Sequence, residues 1–335
     1  MKWFVALLIF LSSCHSTNKA PNRIPAERIG VHTAKYHDAK RGRPVVVEVW
    51  YPTDRTGPID QPEDPVWEHP QEIRDVALTE GIYPLIMMSH GHGGNRRDHS
   101  WIVEHLVKHG FIVASVEHYG NSWRNYNPAL TLRFWERAKD ITFAITAIEK
   151  DPLLKKHIDP KRVGFVGYSL GGMTGLVLGG AKMTNLKQIA LEYVKKYTEI
   201  DKINQAIVES TDFTESQNNF GDRRIKAFAL LSPATFAISP ESLRKVKVPV
   251  ALIASEEDEV LPHQEHALKI VENLKPARLK LFQKSSHYVF LNRVSDVGKE
   301  LLRPNIHTET IQTDRTAIHE EVGHFLVQFF QEHLR

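Results

Sequence analysis

The chain has 335 residues, 41% hydrophobic and 25% charged, the balance of an ordinary globular protein long enough for one large domain with an insertion. Its formal net charge of +3 is small, and acidic and basic residues interleave without a basic block, so nothing in the charge pattern asks for nucleic acid. A single cysteine excludes intramolecular disulfides.

At the N-terminus, Lys2 precedes an apolar run over residues 3–11 that is too short to span a bilayer as a mature helix and reads as a signal peptide. The Leu11-Ser12-Ser13-Cys14 that follows resembles the bacterial lipobox, in which the cysteine is acylated and becomes the mature N-terminus. That resemblance implies loss of residues 1–13 and a lipid attached to Cys14. The protein is then expected in the bacterial cell envelope, held on a membrane by acyl-chain burial at roughly 0.8 kcal/mol per methylene. His15, where enteric-type bacteria use aspartate for inner-membrane retention, puts the outer membrane first. Residues 14–28, with Pro21 and Pro25, read as a tether, and the folded domain is expected over 29–335.

The run 44–52 is rich in β-branched and aromatic residues and stops at Pro52, so it reads as a strand, with 29–36 as its partner. Apolar runs at 85–89, 111–116 and 163–168 read as buried parallel strands. Helix-like spacing at 98–109 and 130–150 separates them. The rhythm resumes with strands at 227–231, 250–254 and 279–282 and helices at 265–274 and 318–333, which predicts a doubly wound, mostly parallel sheet. Residues 181–223 depart from this rhythm, with two helices expected at 186–197 and 202–210, and read as a helical lid insertion.

Gly167-Tyr168-Ser169-Leu170-Gly171 matches G-x-S-x-G, and it follows an apolar strand and opens a helix, which is the context that motif needs. A hydroxyl is a weak nucleophile at neutral pH, so Ser169 requires a histidine base and that histidine a carboxylate. In the α/β-hydrolase order these lie downstream, the acid after a late strand and the histidine after the next. Asp258, in the loop after 250–254, and His287, after 279–282, occupy those addresses. Glu256, Glu257 and Glu259 compete with Asp258 and read as a solvated acidic loop. An ester's tetrahedral oxyanion needs two backbone N–H donors. The Leu170 amide is one candidate, and the His92 amide, in Ser89-His90-Gly91-His92-Gly93-Gly94-Asn95, is the other, with the His90 and His92 side chains shaping the loop.

The 18 histidines otherwise prove little. His319-Glu320 with His324 lacks H-E-x-x-H spacing, because histidines five apart diverge by about 140° on a helix, so no metal site is expected. Trp123, Tyr126, Phe134 and Trp135 are candidates to line an acyl pocket.

Together these segments resemble the predicted dienelactone hydrolase and platelet-activating-factor acetylhydrolase-like branch of the α/β-hydrolases. The resemblance extends to Tyr83-Pro84-Leu85, to Val116-Glu117-His118-Tyr119-Gly120-Asn121-Ser122 and to Asp159-Pro160-Lys161-Arg162-Val163. The chain differs from true dienelactone hydrolases in having Ser169 where they have cysteine. It differs from the acetylhydrolases in having Ser232-Pro233-Ala234 where they place the acid. The resemblance implies an α/β-hydrolase fold and a serine esterase acting on a small-molecule or lipid ester, without a cofactor. A serine peptidase or acyltransferase of the same fold is the alternative, and a non-catalytic binding lipoprotein a third reading.

Overall fold

Nine strands form one sheet in the order β3-β1-β2-β5-β4-β6-β7-β8-β9, where β1 is Arg28–Asp38, β2 Arg43–Thr53, β3 Glu72–Arg74, β4 Tyr83–Ser89, β5 Ile112–Glu117, β6 Ile158–Tyr168, β7 Ile225–Leu231, β8 Val250–Ser255 and β9 Ala277–Phe282. The computed structural model describes residues 28–62, 64–197, 203–275, 277–307 and 313–335. The expected signal peptide, Cys14 and all of the tether but Arg28 lie outside them. Arg28, the last residue of the expected tether, pairs with Thr53 at the start of β1.

From β5 to β9 all neighbours are parallel, while β2 runs antiparallel to both β1 and β5. Successive side chains on a strand point to opposite faces, and the central strands are apolar on both. Leu85, Met87 and Phe165 go to one core with the helices Trp135–Ile148 and Leu170–Leu178; Ile86, Met88 and Val166 go to the other with Ser100–Lys108 and Arg315–His333. The helix after β4 thus lies on one face and the helix after β6 on the other, although the two strands are neighbours. Such a switch point opens a crevice at the carboxyl ends of the strands. Ser89 ends β4 and Ser169 follows β6 there.

Two elements, β3 and the helix expected at 130–150, differ from the expected ones, and the insertion forms both of its expected helices. Strand β3 has only three residues and carries Glu72, which pairs with Arg97 and accepts from Trp50 Nε1, so ion pairing rather than apolar periodicity places it. The expected helix at 130–150 is two: Pro128–Thr131, capped by the Asn127 carboxamide accepting from the Ala129 and Leu130 amides, and Trp135–Ile148. The insertion at 181–223 forms Leu186–Tyr197 and Gln205–Ser210, which with Leu132 enclose a small core of Ala190, Val194, Ile203 and Val208. Its later part reaches Trp135, whose indole donates to Glu215 and packs edge-on to Phe213. No helix among the described residues is long and apolar enough to cross a membrane.

Phe330, on the last helix, is fully buried against Phe111 and Phe329. Phe330→Ala is expected to lower unfolding free energy by about 3–5 kcal/mol, measured by urea denaturation as a fall in midpoint at unchanged slope.

Candidate active site

Ser169 stands between β6 and its helix with φ 54° and ψ −115°, a backbone conformation that costs of order 1–3 kcal/mol outside glycine. Four hydrogen bonds hold it. Its amide donates to the Leu231 carbonyl, and its carbonyl accepts from the amides of Gly172, Met173 and Ala234. The turn is closed by close backbone approach: a side chain at Gly167 would strike the Gly171 carbonyl, and one at Gly171 would strike the Ser89 carbonyl. The two flanking glycines of the motif are therefore steric requirements.

Ser169 Oγ lies 3.2 Å from His287 Nε2, and His287 Nδ1 lies 2.7 Å from Asp258 Oδ2. With the proton on Nδ1 donated to the carboxylate, Nε2 is left to accept the serine hydroxyl. All three side chains are largely buried. Burial alone would raise the Asp258 carboxyl, but the hydrogen bond and charge of His287 and the donated Leu261 amide outweigh it and hold its pKa below the ordinary value.

The loop carrying His287 is fixed from several sides. Tyr168, the variable residue before the nucleophile, donates its hydroxyl to the His287 carbonyl, and its ring packs between those of His287 and His99. His99 Nδ1 and Trp101 Nε1 both donate to the Phe290 carbonyl, and Asn292 Nδ2 donates to the Arg97 carbonyl. Burial lowers the His99 pKa to about 4, which keeps this second imidazole neutral beside the site at neutral pH. Glu259, expected in a solvated acidic loop, instead accepts the His287 amide at 3.1 Å. Nothing in the spacing of four neighbouring acids distinguishes it; its role follows from the fold of the 255–262 turn.

Leu170 is the first residue of the helix behind Ser169, so its amide is among those at the helix N-terminus. Gly91 passes directly over Tyr168 and Ser169: an added Cβ would lie 3.4 Å from the Ser169 Cβ. His92 follows it, its ring accepting at Nδ1 from Asn121 Nδ2 at 3.0 Å and packing edge-on to Tyr126. His90 donates from Nδ1 to the Gly91 carbonyl and accepts at Nε2 from the His118 amide, so its ring is a strut of the loop. The loop's end is turned by Asp98, which accepts both the amide and the carboxamide of Asn95. Of the expected pocket residues, Trp123 is exposed, and Phe134 meets the exposed Phe236 edge-on. Trp135 is buried in the core at the junction with the insertion. His319 is stacked on Trp101 and donates to the Val289 carbonyl, a packing role.

The sheet order, the strained turn after β6 and the two loops that meet it define an α/β-hydrolase fold. A search of solved structures gives the same fold: the ferulic acid esterase from Streptomyces cinnamoneus matches with a TM-score of 0.60 at 19% identity, over 95% of this chain and 92% of that one. In sequence, residues 67–127 match the family described as platelet-activating factor acetylhydrolase, isoform II. The platelet-activating factor acetylhydrolase of Cavia porcellus is 30% identical over 133 residues. That match covers 28% of this chain and 30% of the relative, so it spans under a third of the relative's length. Within its class the chain is thus similar to the acetylhydrolase and dienelactone-hydrolase-like branch, and the sequence match contains the whole Ser89–Asn95 loop.

Asp258→Asn should leave the fold intact and lower turnover of an activated ester by a factor on the order of 10⁴, because the imidazole loses its enforced tautomer. A depressed carboxylate stabilises the fold above its unfolded pKa and loses that contribution as pH falls through the folded value. The stability difference between wild type and Asp258→Asn should therefore be constant near neutrality and shrink below about pH 4, read by urea denaturation at each pH.

Proposed function

We propose that the protein is a serine hydrolase that cleaves carboxylic esters through an acyl-enzyme intermediate. The observation that carries this reading is the continuous Ser169, His287, Asp258 hydrogen-bond chain on a strained strand-to-helix turn. Ser169 Oγ attacks the ester carbonyl while its proton passes to His287 Nε2, and Asp258 stabilises the resulting imidazolium. The amides of Leu170 and His92 receive the oxyanion. As the tetrahedral adduct collapses, the carbonyl reforms and His287 returns the proton to the leaving alcohol. Water then attacks the acyl-serine with His287 as base, releasing the acid and restoring Ser169. The likeness to an acetylhydrolase in sequence and to an esterase in fold favours an ester over the amide or acyl-transfer alternative.

The insertion at 181–223 is read as a lid or pocket wall. Its support is the packing of Gln205–Ser210 against Pro128–Thr131, which follows the Gly120–Asn127 loop at the mouth of the crevice. Cys14 is read as a lipid attachment point, on the strength of its sequence context alone.

The activity is tested with p-nitrophenyl esters from acetyl to long acyl, using protein lacking residues before Ser16. Wild type should turn over at least one chain length and Ser169→Ala should be slower by a factor of order 10³ or more. Equal rates for the two would refute the reading. For the anchor, full-length protein made in a bacterial host should incorporate an alkynyl fatty acid and fractionate with membranes, whereas Cys14→Ala should do neither.

A further inference from the structure

Beneath the candidate oxyanion loop lies a buried polar network that the proposed reaction does not use. Asp140, on the helix after β5, accepts from Arg41 and Arg43 and pairs with His118 Nδ1 at 3.1 Å. His118 Nε2 lies 2.9 Å from Ser89 Oγ. This is a second Ser, His, Asp chain, but all three residues are at most 2% exposed, so no substrate reaches it. Its terminus is Arg137.

Arg137 is 2% exposed and reaches four groups, all uncharged. Nη2 donates to the His90 carbonyl and to Ser89 Oγ, Nη1 to Asn121 Oδ1, and Nε to Thr174 Oγ1 at 3.2 Å. Thr174 in turn donates to the Leu170 carbonyl. Asn121 uses its other end on His92 Nδ1. Thus one planar donor fork touches the start of the oxyanion loop, is one side chain from His92 and is one side chain from Leu170. Those are the two residues whose amides are assigned to the oxyanion.

A guanidinium is well suited to this, since its five N–H groups lie in one rigid plane. Burying one is unfavourable, and no carboxylate bonds it directly to offset that. Burial, before any neighbouring charge, lowers its pKa to about 9, which leaves it protonated at neutral pH. Placing the costly cation on backbone and side-chain groups of three catalytic segments, instead of on the Asp140 carboxylate that Arg41 and Arg43 share, points away from a plain anchor for its helix.

We propose that Arg137 is the positioning residue of the oxyanion hole, setting the Ser89–His92 loop against the Leu170 end of the nucleophile helix. The proposal rests on the serine-hydrolase reading above. A mispositioned donor weakens only the transition state, so kcat should fall while KM holds.

The test compares wild type, Arg137→Lys and Asn121→Ala. Three measurements are made: kcat and KM on the best p-nitrophenyl ester, inhibition by a trifluoromethyl ketone whose adduct carries the oxyanion, and the rate of Ser169 labelling by a fluorophosphonate. Arg137→Lys should lose kcat by a factor on the order of 10², with unchanged KM and a parallel rise in the ketone Ki; Asn121→Ala should lose about ten-fold. Both should label correspondingly slowly. Asn121→Ala carries the test if Arg137→Lys does not fold. Folded variants that match wild type in kcat, ketone affinity and labelling rate would overturn the positioning role. A folded wild type that the fluorophosphonate leaves unlabelled would instead overturn the serine-hydrolase reading.

Discussion

The geometry of the site depends on the backbone of one residue. Ser169 is held at positive φ by hydrogen bonds to β7, to its own helix and to Ala234, and the chain can turn that sharply only because Gly167 and Gly171 have no side chains. The strain is small beside the burial around it, since the whole helix Leu170–Leu178 is enclosed. What the turn accomplishes is placement of a hydroxyl at the helix N-terminus, at a point where two neighbouring strands send their helices to opposite faces.

The remaining parts of the site are loops referred back to that point. Tyr168 links the nucleophile turn to the His287 loop, and the 97–101 segment ties the same loop to the end of β4 through His99, Trp101 and Asn292. Arg96 and Arg97, following the candidate oxyanion loop, are paired with Glu48, Glu72 and Glu117 on strands of the sheet. Rigid strands therefore position functional loops through buried polar contacts as much as through apolar packing. Such contacts are directional, which suits the sub-ångström placement that catalysis requires.

Much of this was legible in the sequence because it is periodic or addressed. The central strands are uninterrupted apolar runs, and Ser169, Asp258 and His287 follow from chain order relative to those strands. What was not legible depends on partners far apart in the chain. Strand β3 is short and polar, and it exists because Glu72 meets Arg97 and Trp50. The break after Thr131 comes from the Asn127-Pro128 cap and a separate start at Trp135, whereas the apolar spacing runs on through both. Glu259 looks like its acidic neighbours until the turn brings it to the His287 amide. Arg137 sits inside an amphipathic helix where an arginine ordinarily faces solvent, and only the packed structure shows it buried.

The decisive experiment is to treat the folded protein with diethyl p-nitrophenyl phosphate and locate the adduct by intact-mass and peptide mass spectrometry. A single diethylphosphoryl group on the peptide containing Ser169, absent from Ser169→Ala and formed far more slowly in Asp258→Asn, is the outcome this structure requires. An unmodified wild type, or an adduct on another residue, would show that the Ser169, His287, Asp258 chain does not activate the serine.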